Sequence, residues 1–373
     1  MTSGGKRCLQ LVCTAVVFSS LCVFFQAPAA GQTFGYIQHN LVSDMRGVAI
    51  TTDPNLKNPW GIASGPGSPF WISDNTTGLS TLYNGQGQPF PVGSPLVVTI
   101  PHSAASTGSG TPDGIVFNGT SNFVVHGGGG SGPAVFLFAT EDGTISGWNP
   151  TANPTNAIIA VDNSSSGAVY KGLAMMTVGS GAFLFATDFH NNAIRMFDGK
   201  FNLVSSFTDP SLPPGFAPFG IANIDNNLYV TFALQQPPDN HDDQAGPGNG
   251  FVDVFSMGGS LIKRFASNGT LNSPWGIVQA VDFGEFSNSL LVGNFGDGTI
   301  NAFDISTGDF LGQLTDTRGI PIFIDGLWGL IFGNGGNGGN TRVLYFTAGP
   351  NQEADGLFGD LQPAESNGGI VNP

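Results

Sequence analysis

A glycine followed by Ile or Leu recurs along this chain at a nearly constant interval, and no other feature restricts the possible folds as much. The anchors read NPWGIA (58–63), TPDGIV (111–116), VYKGLA (169–174), APFGIA (217–222), SPWGIV (273–278) and GLWGLI (326–331). Their glycines stand at 61, 114, 172, 220, 276 and 329, a period of 48 to 58 residues. Each anchor is followed by an apolar burst: PFWISD, VFLFATED, AFLFATDF, NLYVTF, SLLVGNF and VLYFTAG. A third burst comes next, as in GTISGW, NAIRMF, FVDVF and TINAF, and often a fourth, as in LVSSF, LIKRF and FLGQL. A fixed period of this length marks a repeat architecture in which each unit buries its apolar face against its neighbours.

Four short strands per repeat, separated by Gly, Asn and Asp turns, make one blade of a β-propeller. Beyond the N-terminal segment no stretch keeps a helical apolar period with caps. The expectation is an all-β, six-bladed β-propeller of four-stranded blades. The last repeat runs out after DGLFGDL (355–361), one strand short. FGYIQHNLVSD (34–44) reads as a fourth strand with nothing before it, so it is expected to close blade six and cover the exposed edge. Residues 31–373 would then form one propeller domain.

The first 30 residues read differently. Lys6 and Arg7 precede an apolar run from Cys8 to Phe25 and then Ala27-Pro28-Ala29. That order of charge, apolar run and small residues is a secretory signal peptide. The rival is an uncleaved anchor, since the run approaches the ~18–20 residues that span a bilayer. Cleavage implies a secreted or periplasmic product with no remaining membrane contact. All three cysteines (Cys8, Cys13, Cys22) lie in this segment, which leaves the mature chain without disulfides. The formal charge of −15 becomes −17 without Lys6 and Arg7. Such an acidic surface repels phosphate backbones, which excludes nucleic acid as a partner. Asn75, Asn118, Asn163 and Asn268 head N-x-S/T sequons, which matter only in a glycosylating host.

LFATDFHNNAIRMFD (184–198) resembles the NHL-type propeller repeat, with a strand ending in Ala-Thr-Asp and an Asn-rich turn before an Ile-containing strand. The pattern extends over all six repeats and is close only in the third. More specifically, the chain resembles an uncharacterised family of exported bacterial propellers, and more distantly the calcium-dependent gluconolactonase-type propellers. The latter resemblance implies a metal held by Glu, Asn and Asp at the channel mouth. Here the anchors mostly read Trp-Gly or Phe-Gly, and only Asp113 keeps the acidic pattern.

In antiparallel blades the first strand starts, and the second ends, on one face. The residues before the anchor glycines should therefore ring one mouth of the channel: Trp60, Asp113, Lys171, Phe219, Trp275 and Trp328. Functionally, such a ring would stack on a small molecule, a glycan or a peptide. Structurally, the same rings would wedge between blades as core. A second ring is expected at the ends of the second strands. Asp74, Glu141, Asp188 and Asn294 in that ring form an oxygen-rich set suited to calcium, or else each caps its own turn. Asp188 and His190 are the candidates for acid/base catalysis.

QQPPDNHDDQAGPGNG (235–250) is a loop on the same face. Its Asp239, His241, Asp242 and Asp243 either bind a cation or are merely solvated. GGGGSG (127–132) and GNGGNG (333–338) formally match G-x-G-x-x-G but open no helix, so they are flexible turns rather than nucleotide loops. His39, His102, His126 and His190 show no metal-ligand spacing, and no G-x-S-x-G nucleophile pattern occurs. The sequence therefore points to a monomeric, exported binding or scaffold propeller acting through its mouth, with a calcium-dependent lactonase- or esterase-like hydrolase at the same face as the alternative.

Overall fold

In the computed structural model, which describes residues 35–364 together with Met1, Thr2 and Gly4, six antiparallel sheets stand around a central axis. The signal-peptide expectation and the three cysteines lie outside the described residues. The inner strands are Pro59–Ala63, Pro112–Phe117, Tyr170–Val178, Phe216–Ile224, Pro274–Ala280 and Leu327–Phe332, and each carries one anchor. Five blades are four-stranded, in sequence order from the axis outward. The only helical pieces among the described residues are two 3₁₀ turns, at Ser164–Ser166 and Gly284–Phe286. The glycine-rich run at 127–132 is more ordered than expected, because Val124–Gly127 and Gly130–Pro133 pair as a small hairpin.

The sixth sheet is assembled from both ends of the chain. Tyr36–Ser43 lies antiparallel to Leu357–Pro363 in a register that runs from Tyr36↔Pro363 to Ser43↔Leu357. The two-residue strand Thr51–Thr52 adds outside it. Tyr36 also donates its hydroxyl to the Phe283 carbonyl of blade five at 2.9 Å.

Apolar packing follows the interfaces rather than the blades. Six buried clusters fill the six gaps between neighbouring blades: Phe136 and Trp71 between one and two, Phe185 and Val230 between three and four, Phe70 and Tyr345 between six and one. A seventh cluster lies on the axis and holds Trp60, Phe189, Ala217, Phe219, Ala233, Trp275 and Trp328.

The recurring Gly now has a steric cause. A Cβ on Gly61 would come within 2.1 Å of the Asp113 carbonyl oxygen, one on Gly220 within 2.0 Å of Trp275 O, and one on Gly329 within 2.7 Å of Trp60 O. Five of the six anchors thus touch the ring residue of the next blade, with blade six touching blade one, while Gly114 meets Gly172 and Leu173 of blade three. The inner pairing is irregular at this point, as between Pro59/Ile62 and Pro274/Ile277. Where the ladder breaks, threonine serves the freed groups. Thr187, Thr231 and Thr347 accept from the N–H of Gly172, Gly220 and Gly329 at 2.7, 2.8 and 2.9 Å. Thr187 and Thr347 then donate to the Phe219 and Trp60 carbonyls of the next blade, each at 2.6 Å.

Candidate functional site at the channel mouth

The irregularity turns the residue before each anchor glycine toward the axis, and there the aromatic ones pack against each other. Trp60 stacks on Trp328 with ring centroids 3.5 Å apart, and Trp328 stacks on Phe295 at 3.9 Å. Trp275 meets Trp60 and Trp328 edge-on, each at 5.9 Å. Trp328 and Phe219 are fully buried, and Trp275, the most open of the four, is 8% exposed. These rings plug the axis as core instead of offering an open stacking surface. Phe295 caps the stack and is only partly buried.

The second ring is displaced by one residue from its expected position. Strand register places Asp74 opposite Pro59, Asp188 opposite Tyr170 and Asn294 opposite Pro274, whereas Pro112 faces Thr140, not Glu141. Because side chains alternate, a one-residue slip changes the face they point to. The residues equivalent to Glu141 are Asn75, Phe189, Ala233, Phe295 and Gly349. The proposed calcium set is therefore not brought together. Asp188 accepts from Arg195 Nε at 3.0 Å and from Asn191, and is tied into its own blade. Asn294 donates to Thr270 O at 2.7 Å and accepts from Asn272 N. Asp74 is fully buried, and that burial pushes its carboxyl well above the usual range. His190 sits in a turn with Nδ1 2.8 Å from the Asp239 carbonyl oxygen, so it does not join Asp188 as an acid/base pair.

Blades one to three instead contribute a polar half to the mouth. Asn75 Nδ2 donates to both Asp113 Oδ1 (2.8 Å) and Glu141 Oε2 (2.9 Å). Lys171, only 1% exposed, donates to Glu141 Oε1 and lies 4.8 Å from the Trp60 ring centroid. Burial works against the Lys171 charge, but Glu141 and Asp113 outweigh it and raise its pKa. Asp113 is 0% exposed. Desolvation, then the Glu141 charge, push its carboxyl well above the usual range, against the opposing pull of Lys171 and Asn75.

Two loops complete the rim. In loop 235–249, His241 Nδ1 lies 2.8 Å from Asp242 Oδ1 and 4.0 Å from Glu141 Oε1, and Asp242 lies 3.9 Å from Lys171 Nζ. The Asp242 bond raises the His241 pKa, and His241 in turn lowers that of Asp242. In the blade-six loop, Asn58 donates to Glu353 Oε2 at 2.7 Å and accepts from Trp328 Nε1 at 3.1 Å. Burial raises the pKa of Glu353, and the charges of Glu141 and Asp243 add to the rise. Burial likewise raises that of Asp243. Asn351, Gln352 and Glu353 all have positive φ (58°, 57° and 65°), a left-handed turn that costs L-residues about 1–2 kcal/mol each. Sequence reasoning missed Glu353, whose NQEADG context reads as an ordinary turn.

Glu141, His241 and Asp242 place one ligand atom each within 4.8 Å of one another, which is metal-like spacing. The donor set fits a dication poorly, because the Lys171 ammonium already sits on Glu141 Oε1 and beside Asp242. Two polar atoms of the mouth, Asp113 Oδ2 and Trp60 Nε1, are shielded from solvent and have no hydrogen-bond partner among the described residues. Asp243 Oδ2 is shielded as well, with the Ser273 hydroxyl beside it. On the far side of the plug the channel widens into an apolar funnel of about 400 Å³, lined by Ile62, Ile115, Leu173, Ile221, Ile277 and Leu330. It carries no titratable group.

The chain is 34% identical over 330 residues to uncharacterised protein R648 of Acanthamoeba polyphaga mimivirus, a match covering 86% of this chain and 78% of that protein. It belongs to the same family. A second mimivirus member, uncharacterised protein L690, is 33% identical over 86% of this chain and 84% of its own length. The family as matched here is viral, so it does not carry the expected bacterial source. No family model matches the chain. Among solved structures, the soluble aldose sugar dehydrogenase of Escherichia coli aligns with a TM-score of 0.52 at 12% identity, covering 88% of this chain and 99% of the enzyme. At that identity the likeness concerns the propeller fold alone.

Proposed function

We propose that this propeller is an exported ligand-binding module whose working surface is the polar half of the channel mouth. The observation that carries the reading is a pair of shielded atoms there, Asp113 Oδ2 and Trp60 Nε1, without a partner among the described residues. Buried polar groups in proteins are normally paired, and each unpaired one costs about 1–3 kcal/mol. A ligand or an ordered water that satisfies them recovers that cost. The aromatic plug supports this reading by making a rigid floor under the charged groups, so that recognition falls to the rim.

The second reading, a calcium-dependent hydrolase at the same face, draws on the spacing of Glu141, His241 and Asp242. One experiment separates the two. Protein stripped with chelator is titrated with calcium while its melting temperature is followed, and is then screened for lactone, ester and glycoside hydrolysis with and without the metal. Binding to the native state alone raises the melting temperature with ligand excess. The binding-module reading expects no calcium-dependent turnover, together with a tryptophan-fluorescence change on ligand addition. Metal-dependent turnover abolished by Glu141→Gln would replace it.

A further inference from the structure

We propose that the ligand of this mouth is an organic cation, an ammonium or guanidinium group on an apolar body, seated between Asp243 and Glu353 with its body against Phe295. This rests on the ligand-binding reading above and names the chemistry of that site.

The carboxylates of the mouth divide into two sets. Glu141 and Asp242 have their cations in place, Lys171 and His241. Asp243 and Glu353 have no ion-pair partner among the described residues, and the Glu353 carboxylate accepts from the neutral Asn58 amide. They come from loops of blades four and six, on either side of blade five, which supplies Trp275 and the partly buried Phe295. Asp243 Oδ2 is shielded from solvent, with the Ser273 hydroxyl as the neutral group beside it. A half-buried acid outside any ion pair either stays protonated or takes a cation, because desolvation penalises its charged form. Burial raises the pKa of both acids and outweighs the opposing pull of the Lys171 charge, which lies beyond ion-pair distance of either.

The same mouth already seats one ammonium over an aromatic face, that of Lys171 over Trp60. Cation–π contact and a carboxylate together suit a soft monocation with an apolar body. A hard dication needs six to eight oxygens closing around it, and it would meet the buried Lys171 charge at close range. An anion would face an acidic rim.

The test is calorimetry on the protein, with n-butylammonium, benzylammonium and n-butylguanidinium as probes and with n-butanol, benzyl alcohol and calcium chloride as controls. Saturable binding of at least one ammonium probe is expected, weakened tenfold or more in Asp243→Asn and in Glu353→Gln. Both amides keep the volume and remove an unneutralised buried acid, so each variant should melt no lower than the parent. Should Asp243→Asn fail to fold, Glu353→Gln alone decides. Absence of ammonium binding overturns the proposal, and so does binding unchanged in the Glu353 variant. Neutral alcohols that bind as tightly as the amines also overturn it, while leaving the ligand-binding reading intact. If neither amines nor neutral probes bind, both fall.

Discussion

Lys171 and Asp113 are one residue type apart from the tryptophans at equivalent positions, and they place charge where the other blades place rings. Lys171 is tolerated at 1% exposure because Glu141 and Asp113 surround it. Removing one partner of such a buried pair leaves an uncompensated charge, which costs about 3–5 kcal/mol. Lys171→Met should therefore destabilise the fold by that amount in denaturant titrations, while Glu141→Gln combined with it should recover part of the loss. Asp113 makes the opposite case. Its folded-state pKa is raised, so the folded protein binds a proton that the unfolded chain releases. Its contribution is most favourable at low pH and is lost as pH rises through the folded value. Asp113→Asn keeps an acceptor for Asn75 and removes the titration. The variant should melt higher than the parent at pH 8 and equally at pH 4, as read by calorimetry. A constant difference at both pH values would contradict this assignment.

At the scale of strands, the N-terminal strand and the anchors carry distinct loads. Tyr36, Leu41 and Val42 are all at most 4% exposed, and each buries a side chain worth about 2 kcal/mol. Deleting residues 31–46 removes them and uncovers the edge of Leu357–Pro363. The expected result is a melting temperature lower by roughly 10 °C, at the few degrees per kcal/mol typical of a large domain. An unchanged melting temperature would show that the strand does not close the ring. Gly220→Ala tests the blade contact, since its Cβ would meet the Trp275 carbonyl at 2.0 Å and backbone cannot swing aside as a side chain can. A loss at the upper end of the ~1–3 kcal/mol range for overpacking is expected in urea unfolding. Strand ends are also where sequence reading slipped. Asp74, Glu141 and Asp188 each close an apolar burst, so they look equivalent by pattern. Thr140 occupies the position that matches Asp74, and nothing in the residue types VFLFATED reveals that the strand pairs one place earlier.

Over the whole molecule, charge sets a pH optimum. Asp253 is pushed up to about 7, chiefly by burial against the pull of Arg264, and Asp74, Asp243, Glu353 and Asp360 are raised as well. For Asp253 the folded state gains as pH falls through about 7, and for the others as pH falls through their raised folded values toward the ordinary carboxylate range. Asp209, Asp242, Asp304 (about 2) and Asp316 are lowered, so the stability they confer is present above the ordinary carboxylate range and lost as pH falls through their folded values. Net charge, −15 at pH 7, also shrinks on acidification. The melting temperature should therefore rise from pH 8 to about pH 5 and fall below about pH 4. A monotonic decline from pH 8 downward would refute the sign.

The six-blade layout, the inner-strand anchors, the pairing of the N-terminal strand with blade six and the axial positions of Trp60, Asp113, Lys171, Phe219, Trp275 and Trp328 were legible in the sequence. They are properties of a period, and a period survives in one dimension because every repeat faces the same crowded axis. The chemistry of the mouth was legible only in part: Glu141 and the 235–250 loop with His241 and Asp243 were assigned to this face, but their contacts with Lys171 and with each other were not, nor were Asn75 from a strand end and Glu353 from a left-handed turn. What any of these side chains meets depends on register and loop path, which alternation and composition do not encode. Only the assembled tertiary structure placed Lys171 among the carboxylates, kept Asp243 and Glu353 out of any ion pair among the described residues, and turned three tryptophans into the floor of the mouth.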